Sequence, residues 1–75
     1  MQKVGDVTRT AQGLAIVRPP GEEYPDLGTA VVDEQLDDVG RVVDVFGPVE
    51  RPYVAVSPAS GVPLASLVGA KLYAR

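Results

Sequence analysis

Asp38-Val39-Gly40-Arg41-Val42-Val43-Asp44-Val45-Phe46-Gly47-Pro48-Val49-Glu50-Arg51-Pro52-Tyr53-Val54-Ala55-Val56-Ser57-Pro58 decides how this chain folds. Two valine-rich runs flank a Phe-Gly-Pro-Val junction. Valine carries two heavy atoms on Cβ and packs well on a pleated surface, so both runs read as strands. Gly47 accepts backbone angles that other residues avoid, and Pro48 fixes φ and removes a donor. The pair therefore ends one strand and aims the next. Residues 47–52 are too many for a two-residue hairpin turn and predict a shaped connection. Arg41 and Asp44 stand three apart, so a flat strand cannot turn both outward. Either a bulge lies near Val42-Val43 or one of the charges meets a partner.

Reading outward, residues 3–10 form a first strand. Val4 and Val7 are three apart there, which asks for a bulge at Gly5. Residues 14–18 form a second strand, apolar on both faces, which Pro19-Pro20-Gly21 ends. The charged loop through Glu22, Glu23, Tyr24, Pro25 and Asp26 is expected at the surface and is the candidate mobile segment. Residues 29–33 give a third strand and residues 34–38 a polar turn. Residues 39–46 and 52–57 give the fourth and fifth strands. Leu64 to Val68 predicts one helical turn with Leu64, Leu67 and Val68 facing inward. Residues 71–74 give a sixth strand that closes the sheet. Six short strands with frequent Gly and Pro predict an all-β fold, a small six-stranded closed β-barrel, as one domain over residues 1–75. The two halves share a Gly-led strand and little else, and no internal repeat is read from them.

At 75 residues, such a domain buries only about 60% of the surface its unfolded chain exposes. With no Cys and no His, neither a disulfide nor a thiolate or imidazole metal site can compensate. No apolar run approaches the roughly 20 residues that cross a membrane, and the N-terminus has no signal-peptide core, so a cytoplasmic protein without membrane contact is expected. The formal charge is −3, with seven basic residues scattered among ten acidic ones. Binders of nucleic acid carry a basic stripe, so direct RNA binding is disfavoured. No catalytic set, Gly-rich phosphate loop or metal-ligand spacing is present: Asp37-Asp38 reads as a solvated turn. A non-enzyme without cofactor, metal or small-molecule substrate is expected.

The candidate binding residues lie in the organising stretch. Val54 and Val56 share one face of the fifth strand, Tyr53 and Ala55 the other. With the valines filling the barrel, Tyr53 stands outside beside Ala55, with Pro52 at its shoulder. An aromatic framed by proline and small residues marks a binding surface, or else it covers a barrel end with its hydroxyl bonded to backbone. Phe46 is either core or contact, and Tyr73 likewise. Pro48 and Val49 occupy a rigid junction suited to presenting side chains.

Gly40-Arg41-Val42-Val43-Asp44-Val45-Phe46-Gly47-Pro48-Val49 followed by Pro52-Tyr53-Val54-Ala55-Val56 resembles the Gar family of box H/ACA ribonucleoprotein proteins. So do Gln12-Gly13-Leu14-Ala15-Ile16-Val17-Arg18, Leu27-Gly28-Thr29-Ala30-Val31-Val32-Asp33 and Gly69-Ala70-Lys71-Leu72-Tyr73. The resemblance covers nearly the whole chain and is of the archaeal type, without Gly/Arg-rich tails. It implies a small barrel that docks on a dyskerin-type pseudouridine synthase. The guide RNA would be reached through that synthase, and the barrel would assist substrate RNA loading and release in rRNA processing and ribosome biogenesis. It also favours the binding reading for Phe46, Pro48, Val49, Pro52, Tyr53 and Ala55. With Ala55 outside, a glutamate there is expected to be solvated and to leave the melting midpoint in place. Two other readings remain. Val39-Gly40-Arg41-Val42-Val43-Asp44-Val45 also looks like a strand of PRC-type ribosome-maturation barrels that bind a ribosomal protein, and a barrel can bind RNA on its own. The charge makes an expectation about the last of these. The isolated protein should bind short single-stranded RNA weakly at physiological salt, and a salt titration that returned submicromolar affinity with a steep slope would contradict it.

Overall fold

Valine-rich segments broken by glycine and proline can satisfy their backbone groups only by pairing with one another, and a short sheet avoids exposed edges by closing. In the computed structural model, which describes residues 2–75, this chain does so with six strands. They are β1 (Gln2–Ala11), β2 (Leu14–Arg18), β3 (Ala30–Val32), β4 (Asp38–Phe46), β5 (Tyr53–Pro58) and β6 (Lys71–Ala74). They form a closed barrel in the order β1-β2-β5-β4-β3-β6, with every pair antiparallel. The interior is filled by Val4, Val7, Val17, Val31, Val39, Val42, Val54, Val56 and Leu72 with smaller neighbours. A single 3₁₀ turn, Leu64–Leu67, caps it. Leu67 is buried and Leu64 packs against the core, but Val68 is 53% exposed rather than inward. The turn ends at Val68 in extended backbone, which swings that side chain out.

Both expected bulges are present. The register slips between Lys3 and Gly5, so Val4 is the extra residue and both Val4 and Val7 reach the core. It slips again between Val42 and Asp44, so Val43 is extra, and Arg41 and Asp44 both lie outside. Tight turns do the rest: the Asp33 carboxylate accepts the Gln35 and Asp37 amides at 2.9 and 3.0 Å, closing the β3–β4 hairpin.

The registers also contain a repeat that the sequence conceals. β1-β2-β3 superposes in pattern on β4-β5-β6. Asp6↔Arg18, Val7↔Val17, Arg9↔Ile16 and Ala11↔Leu14 in one half correspond to Arg41↔Ser57, Val42↔Val56, Asp44↔Ala55 and Phe46↔Tyr53 in the other, with the bulges at Thr8 and Val43 matched. Hydrogen bonds outside the ladders correspond too. Val7 N donates to Ala70 O at 2.9 Å and Gly69 N to Val7 O at 2.8 Å; Val42 N donates to Thr29 O at 3.0 Å and Gly28 N to Val42 O at 2.7 Å. The β2–β5 seam pairs Ile16 with Ala55, which are each other's equivalents, so a pseudo-two-fold axis passes through that pair. The repeat is one of backbone and register, held by Val4-Gly5 and Val39-Gly40, while the outward side chains have diverged.

Those two glycines share a reason. A Cβ on Gly5 would lie 2.2 Å from the Arg18 carbonyl oxygen, and one on Gly40 would lie 1.9 Å from the Ser57 carbonyl oxygen. At both places neighbouring strands cross so closely that any side chain forces the sheet apart. Gly5→Ala and Gly40→Ala should each destabilise the barrel by about 2 kcal/mol, as overpacking does, and lower Tm by on the order of 10 °C. Gly21→Ala, with open space around it, should change stability by less than about 0.5 kcal/mol. Circular dichroism melts of the three variants check this, and an unmoved midpoint for Gly40→Ala would remove the close approach as a constraint.

Candidate functional site

The two-fold frame is broken in one place above all. Between the paired ends Ala11 and Leu14 of the first hairpin lie residues 12–13, whereas between Phe46 and Tyr53 lie residues 47–52. Barrel closure needs only the shorter link, so the longer one serves something else. Its course follows from its residues. Gly47 takes φ 95°, and the ring of Tyr53 lies against it: a Cβ on Gly47 would stand 3.1 Å from Tyr53 Cδ2. Arg51 N donates to Pro48 O at 3.1 Å, closing a four-residue turn with Val49 and Glu50 at its tip. Val49 is 89% exposed. Pro52 is buried and leads the chain into β5.

Phe46 and Tyr53 are cross-strand partners with ring centres 5.6 Å apart and planes 22° from parallel. Such a pair prefers this offset stack and gains about 1 kcal/mol beyond its buried area. Phe46 keeps 38% of its surface in solvent, which places it on the outer face rather than in the core. Tyr53 is half-buried, and its hydroxyl accepts a 3.2 Å hydrogen bond from Arg18 Nη1 rather than bonding to backbone. The Arg18 guanidinium carbon lies 5.3 Å from the Tyr53 ring centre, within reach of a cation–π contact. Arg18, Tyr53 and Phe46 thus form a row across the β2–β5–β4 face, ending at the turn that carries Pro48 and Val49.

Ala55 corrects part of the sequence reading. It is absent from the interior cluster that holds Val54 and Val56, so it lies on the outer face as expected. It is nevertheless only 2% exposed, between its partners Ile16 and Asp44. Ala55 carries one methyl group between the larger side chains of its cross-strand partners Ile16 and Asp44, and Ile16 beside it is buried as well. Pro52 and Ala55 are therefore a foundation, and the surface a partner could touch consists of Phe46, Pro48, Val49 and Tyr53. Arg18 and Ile16 were missed by sequence reasoning. The available signal was an arginine ending an otherwise apolar five-residue strand just before Pro19-Pro20. Tyr73 is half-buried opposite Lys3 and Val32, on the far side of the barrel.

The rest of the surface offers less. A cleft of about 530 Å³ lies beside Arg41, Val43, Ser57 and Arg75. Its guanidiniums are already engaged, Arg75 with Asp38 at 2.7 Å and Arg41 with the Gly28 carbonyl at 3.0 Å. Among the described residues no three His, Cys, Asp or Glu gather where they could hold a metal, and no helix is long and apolar enough to cross a membrane.

Burial changes what Ala55→Glu should do. The carboxylate would be forced between Ile16 and Asp44 and partly desolvated, so the free protein should lose about 2 kcal/mol instead of melting as before. Val49→Asp, at the open tip, should leave stability within about 0.5 kcal/mol. Thermal melts of the two variants side by side check the assignment, and a stable Ala55→Glu protein would contradict it.

Residues 1–75 match the family described as Gar1/Naf1 RNA binding region. An uncharacterised protein of Methanocaldococcus jannaschii is 36% identical over 56 residues, which make up 75% of this chain and 65% of that protein. The aligned segment is thus under two thirds of the relative's length.

Proposed function

Because this chain belongs to the family described as the Gar1/Naf1 RNA binding region, we propose that it is a non-catalytic accessory subunit of an H/ACA pseudouridylation particle, docking on a dyskerin-type synthase. The contact surface is the row of Phe46, Tyr53, Pro48 and Val49, founded on Pro52 and Ala55. The observation that carries this reading is the lengthened hairpin: an otherwise two-fold barrel extends one link and sets a nearly bare valine and a stacked aromatic pair at its end. An exposed apolar residue unused by the core, beside an aromatic pair, is what a protein interface needs at its centre.

The family description names RNA, and the charge of this chain decides how RNA is met. A formal charge of −3 repels phosphates at long range, and the described cations are dispersed over several strands. Guide and substrate RNA are therefore reached through the synthase. The barrel acts by holding a part of the enzyme in position, which makes its contribution one of gating, not of chemistry. A specific docking surface of this kind should bury on the order of 1,000 Å² or more in total.

Titration of the dyskerin-type synthase of the source organism with the wild-type protein and two variants tests the docking. Tyr53→Ala should cost roughly 2 kcal/mol or more of binding free energy, as truncation of a central aromatic does. Val49→Asp should weaken binding sharply by placing an unpaired charge in a desolvated contact. Unchanged affinity for both variants would remove this face from the interface.

A further inference from the structure

Arg18 is not required by the barrel. Its equivalent in the second half is Ser57, and the strands pair in the same register around either residue. The neighbour it touches, Tyr53, has Leu14 as its own equivalent, so the Arg18–Tyr53 contact exists once in a frame built twice. The contact holds the guanidinium in place without satisfying it. Nη1 reaches the tyrosine hydroxyl at 3.2 Å, while Nε is buried and has no acceptor. Nor does a carboxylate answer the charge. Asp6, the cross-strand partner of Arg18, is paired with Lys3 at 3.4 Å, and the other ion pair among the described residues is Arg75 with Asp38. A guanidinium carries five N–H donors and no acceptor, and among the described residues the Tyr53 hydroxyl is the acceptor that meets its terminal nitrogens, which leaves other terminal N–H groups for an incoming acceptor.

Resting on the docking reading above, we infer that Arg18 receives a carboxylate from the partner. The partner surface then has a definite chemistry: an acidic side chain over Arg18, beside an apolar group covering Phe46 and Val49. Tyr53 is the positioning residue. Its ring and hydroxyl fix the guanidinium before the partner arrives, so less side-chain freedom is lost on binding. The ion pair would be shielded on one side by the Tyr53 ring, where a charge-assisted bond is stronger than at an open surface.

The test uses the same synthase with Arg18→Met, Arg18→Lys, Tyr53→Phe and Arg18→Met combined with Tyr53→Phe, each titrated at several salt concentrations and melted alone. Arg18→Met keeps most of the stem, so it should melt like the wild-type barrel, weaken binding roughly thirtyfold and flatten the salt dependence. Arg18→Lys should restore only part of the affinity, because an ammonium lacks the planar fork. Tyr53→Phe should weaken binding a few-fold when Arg18 is present and not at all in the combined variant, which shows that the hydroxyl acts through the arginine. Wild-type affinity for Arg18→Met, with Tyr53→Ala still impaired, would overturn the acidic contact and leave the docking surface standing. A loss in Arg18→Met with the salt dependence unchanged would also overturn it. No binding by the wild-type protein would overturn the docking reading, and this inference with it.

Discussion

The close crossing of strands at Gly5 and Gly40 is the contact on which the barrel depends. A Cβ on either glycine would run into the backbone of the neighbouring strand just before a proline, at Arg18-Pro19 or at Ser57-Pro58, where a carbonyl oxygen leaves no room for a methyl group. Closing six short strands requires strong local coiling, and a missing Cβ beside a bulge supplies it. The bulges at Val4 and Val39 accompany the glycines and bring an additional valine from each strand into the interior. In a chain with no disulfide, this dense small-residue interior carries the stability. The two ion pairs among the described residues are exposed and contribute little.

Much of this architecture was legible because the signals were local. The bulge near Gly5 followed from Val4 and Val7 standing three apart, and the bulge near Val42-Val43 from Arg41 and Asp44. Both observations rest on the period of two that any strand must obey. The single turn over Leu64–Leu67 followed from its apolar spacing, although Val68 turned outward because the backbone leaves the helical region there. The repeat was not legible, because it lives in hydrogen-bond partners rather than in residue types. Ile16 and Ala55, or Arg18 and Ser57, give no hint of equivalence until the registers are compared.

The site was half legible for a related reason. Phe46, Pro48, Val49 and Tyr53 are adjacent in the chain or face each other across one hairpin, so a reading confined to that stretch could group them. Arg18 lies in a different strand and joins Tyr53 only through the β2–β5 seam, a contact thirty-five residues apart in sequence. The burial of Ala55 belongs to the same class. Alternation assigns a face, but the size of the cross-strand neighbours, Ile16 and Asp44 here, decides whether a small residue on that face reaches water. Alternation alone therefore put Ala55 on the right side and gave it the wrong environment.

The pseudo-axis through Ile16 and Ala55 has a bearing on direction. A molecule that sensed only the backbone of this face would find two nearly equivalent ways to lie on it, related by a half turn. Its side chains remove that ambiguity. Arg9 on one flank answers Asp44 on the other, Arg18 answers Ser57, and the extended hairpin answers a two-residue link. Each replacement changes charge or bulk in going from one half to the other. The face thereby acquires a head and a tail that its strands do not possess, and anything that reads its side chains can lie along it in one direction only.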